Sequence, residues 1–218
     1  MTFVTTGSVA HVGGVVWSIV VAGGSGARFG ERKQYLPLGE ARVLDWSLRA
    51  AAAQVDGVVL VVPADALGAA EPSADVVVAG GASRSASVRA GLAAVPPEAA
   101  VIVVHDAARP VPVPEVWERV LAAVAAGADA AVPAIPVRDT LRQIEGGTVD
   151  RTRFVAVQTP QAFRAEALRA AHRGDPEGTD DASLVEAEGG RVVLVDGDPS
   201  NIKITTPVDL ALAELLCR

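Results

Sequence analysis

Short, continuously apolar runs alternate with longer amphipathic segments from residue 15 to the C-terminus. The runs are rich in β-branched residues, and unbroken hydrophobicity of this kind is typical of strands buried on both faces of a parallel sheet. Strand–helix alternation therefore predicts an α/β fold, with a doubly wound, mostly parallel sheet in three layers. The predicted strands are Val15–Ala22, Val58–Val62, Val76–Ala79, Val101–Val104, Ala130–Val132 and Val192–Val195.

The amphipathic segments predict six helices. The last has the clearest start, because Thr206 can cap it, Pro207 suits the first helical position and Asp209 stands three residues after the cap. Ligands of doubly wound sheets bind at the carboxyl ends of the strands, so the segments after each run are the candidates for function. The predicted helices are Val43–Ala53, Ser85–Val95, Glu115–Ala126, Glu166–His172, Asp181–Glu188 and Pro207–Leu216.

Residues 137–158 interrupt the alternation. They contain polar, extended stretches on either side of Gly146-Gly147, which can form a hairpin turn, and they have too few apolar residues for a core. A protruding β-arm that packs on a second subunit would explain them, although periodicity alone favours an ordinary surface hairpin. We expect a loose extension over residues 1–14 and one domain over residues 15–218 that includes the arm.

Composition argues against several classes of protein. A formal net charge of −7 is unfavourable for a general nucleic-acid binder, which needs a basic surface. The longest apolar run, Val15–Ala22, is too short for a membrane span, and Met1–Gly14 has no Lys or Arg to mark a secretory signal. Cys217 is the only cysteine, so no internal disulfide can form, and we expect a cytoplasmic protein.

A glycine-rich loop with clustered cations follows the first predicted strand. It begins Ala-Gly-Gly-Ser-Gly-Ala-Arg at residues 22–28, and its backbone N–H groups could surround phosphate oxygens. A dinucleotide-binding loop would open a helix directly and show an acidic residue about 20 positions later, and a Walker loop would contain Gly-Lys-Ser/Thr. The segment has neither feature, so it indicates a triphosphate clamp, with a tight turn and solvated charges as the alternative.

Asp106 stands at the end of another predicted strand. A carboxylate there is well placed to hold Mg²⁺, although Asp in such a loop also commonly caps the next turn. We expect the neighbouring His105 to be structural, because no partner Ser, Cys or second His is evident. In the loop at residues 80–88, glycines and Arg84 suit a base or a phosphate, while simple capping by Ser83 or Ser85 explains them equally well.

Only two of the 19 basic residues are lysines, and both stand in polar loop sequence beside these motifs. Lys33 follows the glycine loop, and Lys203 follows the last predicted strand. Lysine is a compact point charge that a reacting phosphate can require, although chance survival of two surface lysines is the alternative. No activated nucleophile is evident. An attacking phosphate is already ionised and needs no general base, so these loops indicate phosphoryl-type transfer by positioning and charge neutralisation.

Several segments together carry a family resemblance. They are Ala22-Gly23-Gly24-x-Gly26-x-Arg28 with Lys33-Gln34-Tyr35, Gly80-Gly81-x-x-Arg84-x-x-Ser87-Val88, His105-Asp106-Ala107-Ala108-Arg109-Pro110, Val137-Arg138-Asp139-Thr140, Thr148-Val149-Asp150-Arg151, Gln158-Thr159-Pro160-Gln161 and Asn201-Ile202-Lys203. From about residue 15 onward the chain closely resembles the 2-C-methyl-D-erythritol 4-phosphate cytidylyltransferases of the non-mevalonate isoprenoid pathway. The resemblance implies a Rossmann-like nucleotidyltransferase fold and transfer of CMP from CTP to methylerythritol 4-phosphate. It also implies a homodimer with interlocked β-arms, and Mg²⁺ as cofactor.

The resemblance further implies roles for individual residues. Arg28 and Lys33 would stabilise the transition state at the α-phosphorus, and Asp106 would bind the metal ion. Nucleotide contacts would come from Ala22, Gly23, Gly24, Gly26, Gly81, Ser87 and Ala107. Substrate contacts would come from Arg109, Thr140, Arg151, Thr159 and Lys203. Arg151 and Lys203 would position the sugar phosphate for attack, and Thr140 and Arg151 would come from the arm of the second subunit.

The sequence departs from the family pattern in two places. Arg32 stands before the loop lysine where family members usually have Pro, and Ser200 precedes Asn201, which leaves the role of Asp198 open. The main alternative function is that of a ribitol 5-phosphate cytidylyltransferase. A non-catalytic nucleotide-sensing module is a second alternative, and a nicotinamide oxidoreductase is disfavoured by the basic loop.

Overall fold

The computed structural model describes residues 13–23 and 32–217. The strands are β1 Val15–Val21, β2 Pro37–Leu38, β3 Ala41–Arg42, β4 Gly57–Val62, β5 Val76–Ala79, β6 Ala99–Asp106, β7 Ala130–Pro136, β8 Val155–Val157, β9 Gln161–Arg164 and β10 Val192–Asp196. The α-helices are α1 Val43–Ala52, α2 Arg84–Ala94, α3 Pro114–Ala125, α4 Ala165–Ala171, α5 Asp181–Ala187 and α6 Pro207–Leu216. Every predicted strand and helix is found, and the largest shift of a boundary is at β7, which continues to Pro136. The structure also contains β2, β3, β8 and β9, which are not among the predicted strands.

One large sheet organises the fold, in the order β10-β7-β9-β6-β1-β4-β5, with β8 paired to β7. Pairing is parallel between β1 and β4, β1 and β6, β4 and β5, and β7 and β10. Strand β9 runs antiparallel to both β6 and β7, and β8 runs antiparallel to β7. The predicted fold class is therefore confirmed: an α/β fold around a mostly parallel sheet.

Each central strand contributes to two cores. In β4, Val58 and Leu60 pack in a cluster with Leu44 of α1 and Trp117 of α3. The intervening Val59 belongs to a second cluster, which contains residues of α2, α4 and α5. Side chains alternate between the faces of a strand, so a continuous apolar run supplies both cores. This arrangement gives the predicted three layers.

Helix α6 begins as its sequence predicts. The Thr206 hydroxyl accepts from the backbone N–H of Asp209, and the Asp209 carboxylate in turn accepts from the N–H of Thr206, which completes a capping box. Pro207 occupies the first turn. Among the described residues, no helix combines the length and the apolar character that a membrane crossing requires.

The segment around Lys33 differs from the prediction of a loop. Lys33–Tyr35 forms a short 3₁₀ helix, and the β2–β3 hairpin follows it. The hairpin turn has Gly39 at a φ of 61°, a conformation that side chains rarely adopt. The placement of Lys33 in a loop was therefore wrong, because a local turn and a two-residue hairpin leave almost no hydrophobic periodicity to detect.

The segment between β7 and β8 reverses direction as a narrow hairpin. Arg142 and Thr148 form an antiparallel bridge, and the N–H of Gln143 donates to the carbonyl of Gly147 at 3.1 Å. The turn therefore lies at the glycine pair, as predicted. Ile144 at its tip is fully exposed, so the hairpin projects from the domain.

Candidate active site

Two lysines and one aspartate meet at the carboxyl end of the sheet. Asp106 is the last residue of β6, and Lys203 follows β10. The ammonium of Lys203 donates to Oδ2 of Asp106 at 2.5 Å. Lys33 Nζ donates to the carbonyl oxygen of Ile204, the residue after Lys203, also at 2.5 Å. Lys203 therefore contacts Asp106 directly, and Lys33 is attached to the residue that follows Lys203, so three segments that the sequence suggested are joined at this edge of the sheet. The predicted Arg28 lies outside the described residues.

Asp106 is a buried carboxylate in a positive environment. Its second oxygen, Oδ1, lies 3.5 Å from Nε of Arg84. Burial alone would raise its pKa, but the charges of Lys203 and Arg84 outweigh burial and hold the pKa of Asp106 well below its ordinary value. Asp106 is therefore ionised at neutral pH. Within the described ranges, no group of three or more His, Cys, Asp or Glu residues could hold a metal ion, so Asp106 is not part of an acidic cluster.

His105 is held in a fixed, neutral form next to Asp106. Its Nε2 lies 3.1 Å from the carbonyl oxygen of Arg109, which can only accept, so Nε2 carries the proton. Nδ1 then accepts from the hydroxyl of Thr159 at 3.2 Å, and that hydroxyl accepts from the backbone N–H of Asp106 at 3.0 Å. Burial lowers the pKa of His105 to about 4. This network supports the structural role expected for His105, and it uses the hydroxyl of Thr159 within the protein.

Arg109 connects three segments beneath the site. One guanidinium nitrogen donates to the carbonyl of Asn201 at 2.7 Å, and another donates to the carbonyl of Val157 at 3.4 Å. Its Nε is buried and has no hydrogen-bond partner in the part of the chain that the structure describes. Burial lowers the pKa of Arg109. Arg109 is therefore anchored near the site, with one donor that the described residues do not use.

The residues expected to contact the nucleotide lie in different surroundings. The N–H of Ala22 donates to Val61 and that of Ala107 donates to Val21, so neither N–H remains for a phosphate. Gly23 instead packs tightly on α2, because an added Cβ would lie 3.2 Å from Oγ of Ser87. Gly81 is exposed at the end of β5, whereas Gly24 and Gly26 lie outside the described residues.

The structure shows which serine caps α2, what Arg32 pairs with and what Asp198 does. Ser83, not Ser85, caps α2, since its hydroxyl accepts from the N–H of Ala86 at 3.0 Å. Arg32 pairs with Asp65 at 2.8 Å. Asp198 caps a turn, because its Oδ1 accepts from the N–H and the hydroxyl of Ser200 at 2.7 and 2.6 Å.

Arg84 has carboxylate partners that sequence reasoning missed. The sequence suggested a base or a phosphate for Arg84, but its guanidinium pairs with Asp181 at 2.8 Å and with Asp106 at 3.5 Å. Asp181 is the first residue of α5. Asp is common at the start of a helix, where it favours capping and the helix dipole. The sequence around Asp181 therefore gives no sign that it contacts Arg84.

The arm residues do not join this site within one chain. Thr140 and Arg151 are exposed, and within the described ranges neither bonds to Asp106 or Lys203. The guanidinium of Arg151 instead donates to the carbonyl oxygen of Arg138. The geometry of a single chain therefore leaves both residues available to a neighbouring molecule.

Similarity to known proteins agrees with this geometry. Over residues 16–218 the sequence matches the family described as 2-C-methyl-D-erythritol 4-phosphate cytidylyltransferase, IspD. The chain belongs to this family. The 2-C-methyl-D-erythritol 4-phosphate cytidylyltransferase of Nocardia farcinica is 45% identical over 217 residues, which cover 93% of this chain and 94% of the relative.

IspD relatives also share the fold. The crystal structure of the enzyme from Thermus thermophilus is similar with a TM-score of 0.80 and 40% identity, covering 94% of this chain and 99% of that one. A bifunctional enzyme IspD/IspF from Solidesulfovibrio magneticus is 43% identical over 91% of this chain and 56% of the relative. Membership in the IspD family confirms the predicted enzyme class, a cytidylyltransferase, and its place in isoprenoid biosynthesis.

Proposed function

We propose that the described site catalyses transfer of CMP from CTP to 2-C-methyl-D-erythritol 4-phosphate, giving 4-diphosphocytidyl-2-C-methyl-D-erythritol and diphosphate. The observation that carries this proposal is the convergence of Lys33, Asp106 and Lys203 at the carboxyl end of the sheet. The identity of the two substrates is supported by membership in the IspD family.

The reaction requires neutralisation of charge more than proton transfer. An oxygen of the acceptor phosphate forms a bond to the α-phosphorus of CTP, the bond from that phosphorus to the β-phosphate oxygen breaks, and diphosphate leaves. The attacking phosphate is already ionised, so no base is needed. His105, neutral and fixed by two hydrogen bonds, is not required to move a proton. Lys33 would stabilise the charge that develops at the α-phosphorus, and Lys203 would orient the acceptor phosphate.

Asp106 is the residue that would hold Mg²⁺. The fit is supported by its ionised state and by Oδ1, whose contact with Arg84 is a long ion pair at 3.5 Å rather than a close hydrogen bond. Mg²⁺ commonly uses one or two carboxylates and takes its other ligands from substrate phosphates and water. This agrees with the single carboxylate that the described residues supply at the site. When bound, the ion would neutralise negative charge on the phosphates of CTP.

The second subunit of a homodimer would complete the site. Thr140 and Arg151 are exposed on the arm, and the neighbouring Phe154, Val155 and Val157 expose apolar surface. A partner that covers these side chains would bring the two arm residues to the acceptor phosphate of the other subunit. We further propose that the enzyme works in the cytoplasm on small-molecule substrates, without nucleic-acid or membrane partners.

Diphosphate release tests the substrate assignment directly. Purified protein is incubated with Mg²⁺, each of the four ribonucleoside triphosphates, and either 2-C-methyl-D-erythritol 4-phosphate or ribitol 5-phosphate. We expect release only with CTP and methylerythritol phosphate, and none after chelation of the metal ion. Turnover of ribitol 5-phosphate alone would assign the alternative acceptor. Binding of CTP without release under every condition would assign a nucleotide-sensing module.

A further inference from the structure

Arg84 lies between two buried carboxylates at the first turn of α2. Its NH1 group donates to Oδ2 of Asp181 at 2.8 Å, which is the distance of a strong charge-assisted hydrogen bond. Its Nε lies 3.5 Å from Oδ1 of Asp106, close enough for an ion pair but too long for a good hydrogen bond. Arg84 therefore interacts more closely with Asp181 than with Asp106.

Among the described residues, the side chain of Asp181 bonds to Arg84 and to His172 rather than to the lysines of the site. It is completely buried, and its other oxygen, Oδ1, lies 3.0 Å from Nε2 of His172. Both carboxylate oxygens are thus directed toward polar partners in the interior. An Asp whose only purpose was to favour the start of a helix would remain at the surface near the helix N-terminus, so the burial of Asp181 requires another explanation.

The chain that leads to Asp181 is bound to the start of α2 at several points. Glu177 accepts from the hydroxyl of Ser83 at 2.8 Å, and the carbonyl of Pro176 accepts from Arg89 at 2.7 Å. The N–H of Gly178 donates to the hydroxyl of Ser85 at 3.2 Å. These bonds attach the segment before α5 to the start of α2, so the carboxylate of Asp181 has a fixed position relative to Arg84.

We propose that Asp181 is a positioning residue, which holds the guanidinium of Arg84 at ion-pair distance from Asp106 and so keeps Oδ1 of Asp106 open for a divalent cation. This inference rests on the proposed role of Asp106 in binding Mg²⁺. Without the charge of Asp181, Arg84 would turn its donors toward Oδ1 of Asp106, because a charge-assisted hydrogen bond is stronger than an ion pair at 3.5 Å. The pair would then occupy the oxygen that the cation needs.

Replacement of Asp181 by Asn is the first test, since it removes the charge but keeps the size. Binding of Mn²⁺ in the presence of CTP and without acceptor is measured by electron paramagnetic resonance. We expect D181N to bind Mn²⁺ about tenfold more weakly, as is typical when a residue behind a metal ligand is changed. The matched control is D175N, which makes the same change at an exposed position that pairs with Arg89 and should bind Mn²⁺ as the parent does.

A double variant separates positioning from general damage to the fold. If Arg84 blocks Oδ1 in D181N, then removing its charge as well, in R84Q/D181N, should restore most of the lost Mn²⁺ affinity. A purely structural role predicts further loss instead. The single variant R84Q should bind Mn²⁺ at least as tightly as the parent enzyme, and it keeps the test available if D181N does not fold. Weaker binding by R84Q, or no recovery in the double variant, would overturn the inference.

A crystal structure of D181N without metal tests the geometry independently of function. We expect a guanidinium nitrogen of Arg84 within hydrogen-bond distance of Oδ1 of Asp106, in place of the 3.5 Å separation. An unchanged separation would contradict the inference even if activity fell. If the parent enzyme failed to bind Mn²⁺ with CTP, the metal role of Asp106 would be wrong, while the D181N structure would still decide whether Asp181 positions Arg84.

Discussion

The ammonium of Lys33 donates a hydrogen bond to the carbonyl oxygen of Ile204, 171 residues further along the chain. The N–H of Ile204 in turn donates to the carbonyl of Ala108 at 2.8 Å. The turn that holds Lys203 is therefore attached on one side to Lys33 and on the other to the segment after Asp106. This attachment joins both lysines of the protein to one segment, as the separate roles proposed for them require.

Lys33→Ala should reduce turnover by a factor of about 10²–10³, equivalent to about 2.7–4 kcal/mol of transition-state stabilisation. The reason is that the ammonium would neutralise charge that develops at the α-phosphorus, which differs between the ground state and the transition state. The measurement is kcat for diphosphate release at saturating CTP and acceptor.

Arg32→Ala is the control for the loss of one positive charge from this segment. Arg32 is the adjacent cation, but its guanidinium pairs with Asp65 at the surface. The position of the charge is what matters, so this variant should keep turnover close to that of the parent enzyme. Normal turnover in Lys33→Ala would remove the role proposed for Lys33.

Lys203→Ala should mainly weaken use of the acceptor. Lys203 is half-exposed beside Asp106, where an ammonium can reach a second phosphate. Loss of a hydrogen bond to a charged group costs about 1.5–3 kcal/mol, so kcat/KM for methylerythritol phosphate should fall by about 10–100-fold. The KM for CTP should change less. Equal effects on the KM values of both substrates would contradict the separate roles of the two lysines.

The layered α/β fold could be predicted because its signal is local. Each core strand is a continuous apolar run, and each helix has its own apolar stripe or cap, as at Thr206. Strand β9 could not be predicted in this way, although it lies in the middle of the sheet. It has four residues, and the buried Ala162 and Phe163 are too short an apolar run to distinguish from a loop.

Residues of the site could be predicted only where the neighbouring sequence, a strand end or a motif, marks them. Asp106, Lys33 and Lys203 stand at strand ends or beside motifs, so sequence suggested each of them. The Arg84–Asp181 pair joins residues 97 positions apart, and nothing local to either residue indicates the other. Such a pairing depends on how α5 docks against α2, which is a property of the complete fold.

Stability should fall in acid in part through His105. Burial lowers its pKa in the folded protein to about 4, from an ordinary value of 6.5. Between these values the unfolded chain binds a proton that the folded protein does not, so this contribution is fully present above pH 6.5 and is lost as the pH falls toward 4. The expected loss is about 3 kcal/mol, measured by denaturant unfolding across this range.

His105→Gln provides the comparison for this pH effect. Glutamine stays neutral throughout the range and offers one donor and one acceptor for the carbonyl of Arg109 and the hydroxyl of Thr159. Its stability should therefore depend less steeply on pH between 4 and 6.5 than that of the parent protein. Parallel curves for the two proteins would show that His105 is not the group responsible.

Arg151→Ala and Lys33→Ala should complement each other if sites are shared between subunits. Each variant alone should have low activity, because every site lacks either the arm residue or the loop lysine. A mixed dimer would contain one doubly defective site and one intact site, so random re-association of equal amounts should restore about a quarter of the parent activity. The measurement is diphosphate release before and after the two variants are dissociated and mixed. Activity that stays at the mean of the two single variants, while the dimers demonstrably exchange, would place Arg151 outside the partner's site.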